Sequence, residues 1–311
     1  MNRILAVVGP TAVGKTDIAI ELAERLGAEI VGCDSMQVYR GMAVLTQQPT
    51  RAQRARVSHH VVDCIEPEEM FNAGRYRAMA LEAIAQIQRR GRAVVLTGGT
   101  GLYLKALTDG LCEAPPADVR IREALWAQVE AGGAEVLYAR LHDVDPEAAE
   151  KIHPRNARRV VRALEVYELT GQPLSRGWAW GRGSAVQDGA GSSLNMTVVG
   201  LLRDRQELYA RINQRVERMI REDGVLEEVR QLMPRAISRT ARQVHGLAFL
   251  ESFLNGGASR EEMIPLWQQQ VRRYAKRQLT WFRAQSQIRW VTLGSEESNE
   301  TIVARILGSA Q

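Results

Sequence analysis

Apolar residues in this chain fall into two kinds of run. Short uninterrupted stretches, Ile4-Leu5-Ala6-Val7-Val8, Glu29-Ile30-Val31-Gly32-Cys33 and Ala93-Val94-Val95-Leu96-Thr97, read as strands buried on both faces. Between them the apolar positions take helical spacing, over 16–26 and again over 73–90, where Met79, Leu81, Ala83, Ile84 and Ile87 recur. Such alternation predicts a parallel sheet with helices on both faces. The strand pattern then stops. Helices are expected near 118–131, 134–142 and 155–169, the last closed by Thr170-Gly171-Gln172-Pro173. The Gly/Ser-rich stretch 181–193 reads as a flexible loop. A strand over 197–202 returns the chain to the sheet, followed by helices at 205–222, 224–232 and 259–285 and a strand near 288–291. The expected organisation is an α/β core from 1–112 and 195–311, interrupted by a helical insertion at 113–194.

The first strand runs into Gly9-Pro10-Thr11-Ala12-Val13-Gly14-Lys15-Thr16, and a helix opens at once behind it. In that setting the G-x-x-x-x-G-K-T pattern is a phosphate-binding loop, so the sheet is of the P-loop NTPase-like kind. The glycines let backbone N–H groups turn around an anion, and the helix N-terminus adds partial positive charge. Lys15 offers a point charge to the phosphates, and the Thr16 hydroxyl is placed to hold Mg²⁺.

Composition narrows the picture modestly. The chain has 311 residues, 45% hydrophobic and 25% charged, as in ordinary globular enzymes. No apolar run approaches the roughly 20 residues of a membrane helix, and the first strand leaves no room for a signal peptide. Cys33, Cys64 and Cys112 are scattered, which argues against a disulfide framework or a zinc site. A cytoplasmic protein is expected. The net charge is +5, carried by 37 arginines and only four lysines, so each lysine marks a place where a compact charge is preferred.

Asp34 follows the second strand. On the residues alone it serves either as a Mg²⁺ ligand or as acceptor of a proton from an exocyclic amine. Gln37 beside it suits the paired donor and acceptor edge of adenine. Gly98-Gly99-Thr100-Gly101 makes a second glycine corner, and no Asp ends its strand, which weighs against a motor or GTPase. Arg155, Arg158, Arg159 and Arg162 read as one helix face; Arg272, Arg273, Lys276, Arg277 and Arg283 form another, interleaved with Tyr274, Trp281 and Phe282. Two such faces point to nucleic acid. His59-His60 lacks a partner at metal-ligand spacing and is expected to bond locally.

Taken in order, GPTAVGKT (9–16), DSMQVYRGM (34–42), HHVVD (59–63), GGTGLYLKAL (98–107), the run from Ile152 to Glu165, LLRDRQELYARINQRVERM (201–219) and YAKRQLTWFR (274–283) resemble the tRNA dimethylallyltransferase family across nearly the whole chain. The resemblance implies transfer of a dimethylallyl group from dimethylallyl diphosphate, held with Mg²⁺ at the loop. The acceptor it implies is N6 of the adenosine 3′ to the anticodon, flipped out of tRNAs that read codons starting with U. It implies a monomer that grips the tRNA anticodon stem-loop. By the same match Asp34 orients N6 and takes its proton, Thr100 lies near the bridging oxygen, Gln37 holds the base, and Lys15, Thr16 and Arg205 neutralise the diphosphate. It assigns Asp34, Ser35, Met36, Gln37, Thr100, Arg122, the run Arg158-Arg159-Val160-Val161-Arg162, and Arg242-Gln243-Val244-His245-Gly246-Leu247 to the tRNA.

Two stretches depart from the family pattern. Val44-Leu45-Thr46-Gln47-Gln48-Pro49 stands for a Gly-Thr-Ala-Lys-Pro-like run, and Gln243 to Phe249 for Gln-Ala-Ile-Gly-Tyr-Lys-Glu. An altered grip on RNA is expected from both. Rival readings are prenylation of a free adenine nucleotide, a small-molecule kinase and a non-catalytic RNA-binding module. The insertion argues against the first, the glycine corner against the second and the intact loop against the third.

Overall fold

The computed structural model describes residues 4–111, 115, 117–177 and 194–309. Six strands, β1 (Ile4–Val8), β2 (Glu29–Gly32), β3 (His59–His60), β4 (Val94–Gly98), β5 (Met196–Leu202) and β6 (Arg289–Thr292), form one sheet. Their order is β3-β2-β4-β1-β5-β6, and every neighbouring pair is parallel. The continuous apolar run of β1 is explained by its place in the middle. Ile4, Ala6 and Val8 join the core on one face, Leu5 and Val7 the core on the other. Helices Lys15–Leu26 and Ala73–Arg89 follow the expected spans closely.

The chain divides into two compact units, one made of both ends to Thr108 and from Ser193, the other of Asp109–Ser192. The expected divisions were 112/113 and 194/195. The inner unit has a core of its own, with Leu125, Leu137, Leu141, Ile152, Val160 and Leu164 at its centre. The stretch 181–193 and Cys112 lie outside the described residues.

Several short helices were not expected: Ala43–Thr46, Gly101–Thr108, Leu247–Leu254 and Asn299–Ser309 carry no clear sequence signal, whereas Arg51–Arg56 is announced by the Thr50–Gln53 capping box. Leu247–Leu254 starts at Gly246 with φ +97° and no side-chain cap, in a stretch too uniformly apolar to show a period.

Candidate active site

All the strands of a parallel sheet end at one edge, and loops there converge. The phosphate loop leaves β1, Asp34 follows β2, the glycine corner follows β4, and Arg203 follows β5. The close approach needs glycine at Gly98, where a Cβ would sit 2.0 Å from Cys33 O. Gly14, at φ +106°, is the N-cap of Lys15–Leu26 and offers no side chain to its free N–H groups. Those donors are left for an anion.

Around the loop lies a cavity of about 360 Å³. One part of its lining is polar: Thr11, Lys15, Thr16, Asp34, Gln37, Arg211 and Arg215. Another is apolar: Leu45, Ile212, Val216, Met219, Val244, Trp267 and Val271. Lys15 Nζ donates to Pro10 O at 2.7 Å. Its ammonium is enclosed by neighbouring atoms, and this burial lowers its pKa from 10.5 to about 8; Asp34 opposes the fall and Arg215 adds to it.

Arg211 Nε donates to Ala12 O at 3.0 Å, and Arg215 reaches Thr11 Oγ1 at 3.5 Å. Arg215 forms no ion pair among the described residues, and burial, with Arg211 and Arg218 nearby and only Asp17 opposing, lowers its pKa to about 10. The sequence reading put Arg205 at the diphosphate. In the structure Arg205 is exposed, 5.2 Å over the Tyr209 ring, and is not in the cavity lining. Helical spacing explains this placement. Arg211 and Arg215 flank the buried stripe Leu208, Ile212, Val216, so they lie at its edge facing the loop, whereas Arg205 sits at the exposed start of the helix.

Asp34 Oδ1 accepts the Met36 N–H at 2.9 Å, which fixes the carboxylate at the cavity wall. Thr100 acts one step back: its Oγ1 accepts the Ser35 N–H at 2.9 Å and donates to Ser35 Oγ at 3.2 Å. It is not among the lining residues. Gln37 Nε2 donates to Gln47 O at 2.7 Å and Thr46 O at 3.3 Å. Its donors are therefore engaged, and only Oε1 is left to accept from a base, half of the paired contact expected for adenine. Gln48, in the stretch that departs from the family, donates to Gln37 O at 3.0 Å and Tyr39 O at 2.7 Å.

Buried Gln278 joins the two glycine loops. Its Oε1 accepts the Thr11 N–H and its Nε2 donates to Gly99 O, each at 2.8 Å. The aromatics of the same helix, Arg260–Arg283, are divided: Phe282 is buried, Trp281 fills the space beside Gly101, and Tyr274 lines the cavity with the Arg277 guanidinium 5.7 Å over its ring. His59 Nδ1 bonds Val57 O at 2.8 Å, the local contact expected, whereas His60 reaches across to Glu29 of the neighbouring strand at 2.7 Å; His59 also lines the cavity, its buried Nε2 without a partner among the described residues.

Within the inner unit the predicted arginine face is divided. Arg155 precedes Asn156, the cap of Ala157–Thr170, and so is not on that helix. Arg122 and Arg162 hold the fully buried Glu165 carboxylate at 2.7 and 2.8 Å. Val160 and Val161 are core residues, as are Val244 and Leu247 in the other unit. Arg158 and Arg159 are exposed. Arg242 pairs with Glu251 at 3.3 Å, Gln243 is exposed, and His245 lines the cavity.

Fold and site together define a phosphate-loop α/β protein with a carboxylate and an apolar pocket beside the loop. A model of the IPP transferase family matches residues 37–285. A tRNA dimethylallyltransferase of Geobacter metallireducens is 45% identical over 93% of this chain and 92% of its own length. The structure of a full-length tRNA isopentenylpyrophosphate transferase from Bacillus halodurans is 37% identical, with TM-score 0.69, over 99% of this chain and 96% of that one. A eukaryotic dimethylallyltransferase acting on tRNA, 24% identical, shares the fold with TM-score 0.80 over 99% of this chain and 80% of that one. The chain belongs to the IPP transferase family.

Proposed function

We propose that the protein transfers the dimethylallyl group of dimethylallyl diphosphate to N6 of the adenosine 3′ to the anticodon in tRNAs reading codons that start with U. The observation that carries this reading is one cavity holding an uncapped phosphate loop, an apolar wall and a carboxylate. Loop N–H groups, Lys15, Arg211 and Arg215 hold the diphosphate and take up the charge it gains on leaving. The apolar residues seat the prenyl tail, and burial there keeps water from C1. The N6 lone pair bonds C1, the C1–O bond breaks towards the diphosphate, and Asp34 accepts the amine proton. Gln37 Oε1 accepts from the same amine, and Thr100 positions Asp34 through the Ser35 N–H. Catalysis is mainly positioning.

Mg²⁺ fits this site as an ion shared with the substrate. Thr16 and Asp34 present hard oxygen atoms to the cavity, and no group of three or more acidic, Cys or His side chains among the described residues cages an ion alone. That is the usual Mg²⁺ arrangement, with phosphates supplying other ligands. Thr16 would hold the ion, which when bound supplies positive charge to the diphosphate. The reading extends to a monomer acting in the cytoplasm on the anticodon stem-loop, with Arg158 and Arg159 as backbone contacts. No described helix is long and apolar enough to cross a membrane.

The test offers labelled dimethylallyl diphosphate and Mg²⁺ with unmodified tRNA, with tRNA carrying guanosine at the acceptor position, and with AMP. Label in the first alone is expected, reduced about 10²-fold or more in Asp34→Asn. Label in AMP instead, or none at all, overturns the reading.

A further inference from the structure

Glu228 is an acidic residue on an apolar helix face. Helix Val225–Leu232 buries Val225, Val229 and Leu232, and Glu228, three residues after the first and four before the last, shares that face. Its partners there are backbone groups. Oε2 accepts the Val44 N–H at 2.8 Å, and Oε1 the Leu45 N–H at 2.7 Å. Burial raises the carboxyl pKa, and these N–H groups oppose the rise.

The two N–H groups open helix Ala43–Thr46, in the first stretch that departs from the family pattern. A helix of four residues does not stand unaided, least of all with β-branched Val44 and Thr46 in it and with Met42, at its cap, offering no side-chain acceptor. Its far end faces the cavity, where Leu45, Thr46 and Gln47 line the wall. The Thr46 and Gln47 carbonyls take the N–H groups of the Gln37 amide. Gln47 presents its carbonyl from φ +56°, an uncommon conformation for a residue with a side chain, which the surroundings must hold in place. With carbonyls on one side, the Gln37 amide has a single orientation, because turning it over would set its oxygen against theirs. Towards a base it therefore offers an acceptor and no donor.

We propose that Glu228 is a positioning residue for the choice of base: by holding helix Ala43–Thr46 it keeps the Gln37 amide in the orientation that accepts from the 6-amine of adenine and repels the 6-carbonyl of guanine. The inference rests on the transfer reading above and names what sets part of its acceptor preference. Asp34 discriminates in the same direction, but it is held by the Met36 N–H and not by Glu228, so the two contributions separate.

Filter binding compares tRNA carrying adenosine at the acceptor position with the same tRNA carrying guanosine there. The proteins are the wild type, Glu228→Leu, Gln37→Ala and the double variant, all without allylic donor. The ratio of the two dissociation constants cancels the folded fraction and contacts with the rest of the RNA. Leucine suits the apolar face but accepts neither N–H. Glu228→Leu is expected to cut the preference for adenosine by about tenfold, the worth of one hydrogen bond, Gln37→Ala by as much, and the two together by no more than either alone. Glu228→Gln keeps one acceptor oxygen, should lose only about threefold, and serves the same purpose should the Leu variant not fold. Calorimetric titration with inorganic diphosphate should give the same affinity in every variant. A preference intact in both Glu228 variants, a loss repeated in full on top of Gln37→Ala, or an equal loss of diphosphate affinity overturns the proposal. A wild type that binds both tRNAs alike overturns it too, by removing Gln37 from the base. No label transferred to either tRNA in the assay above overturns the transfer reading itself, and this inference with it.

Discussion

Arg215 sets up a conflict between folding and binding that can be measured. Its guanidinium lies among protein atoms beside Arg211 and Arg218, with only the Thr11 hydroxyl at 3.5 Å for company. A pKa lowered from the ordinary arginine value to about 10 corresponds to roughly 3 kcal/mol held against the charged form. The folded pKa of this base is depressed, so the cost is present in full below pH 10 and vanishes only above the ordinary arginine range. Arg215→Met keeps much of the packing and removes the charge. It is expected to raise the stability of the free protein by about 2 kcal/mol, part of the gain being lost with the imperfect fit of the new side chain. The same change removes a charge-assisted contact to the diphosphate, at about 10- to 100-fold in affinity. Denaturant unfolding reads the first effect as a higher midpoint with an unchanged slope. Calorimetric titration with inorganic diphosphate reads the second. At diphosphate one hundred times its wild-type Kd, the wild type gains about 2.7 kcal/mol and a variant binding 100-fold more weakly only about 0.4 kcal/mol, so the order of stability closes or reverses. A destabilised variant, or one that binds diphosphate as tightly as the wild type, refutes the reasoning.

Lys15 gives a pH dependence. Its free-enzyme pKa of about 8 predicts that kcat/KM for the diphosphate substrate is level below pH 8 and falls about tenfold per unit above it; Lys15→Arg should move the break upwards, and an unmoved break disproves the assignment. Gln278→Leu orphans the Thr11 N–H and the Gly99 carbonyl, so unfolding midpoints should register a loss of about 2–4 kcal/mol. Glu165→Leu strands Arg122 and Arg162 and should cost the inner unit about 3 kcal/mol or more. Arg159→Ala should leave folding within about 0.5 kcal/mol while weakening tRNA binding and flattening its salt dependence by about one phosphate contact in a filter-binding series.

Local pattern carried the reading of β1, β2, β4 and the loop, because each announces itself within a dozen residues: an apolar run, a glycine at the turn, a helix behind it. Asp34 and Thr100 were legible for the same reason, as residues just past strand ends. Gln278 lies within the 274–283 motif, but its task depends on partners 267 and 179 residues away, and no spacing along the chain encodes that. Arg211 and Arg215 could have been found from their place beside the apolar stripe Leu208, Ile212, Val216, whereas Arg205 was favoured by resemblance alone. Arg122 and Arg162 could not be told from exposed Arg158 and Arg159 by residue type, because an arginine is the same letter whether it faces solvent or a buried carboxylate. Glu165, apolar in its surroundings and acidic in its chemistry, was the signal that Arg122 and Arg162 are held within the unit.

The order in which the ribosome delivers this chain bears on its early life. Strands β1 to β4 emerge first, yet β1 needs β5 along its other edge, and the whole of Asp109–Ser192 is made before that strand arrives. Through that interval the nascent half-sheet has a bare apolar edge, the kind of surface that invites wrong pairing or a chaperone. The phosphate loop is written within the first 16 residues, but Thr11 finds its partner only when residue 278 has been made. A nascent chain therefore carries the loop's sequence long before it carries the loop's rigid form, and competence for substrate waits on the synthesis of residue 278.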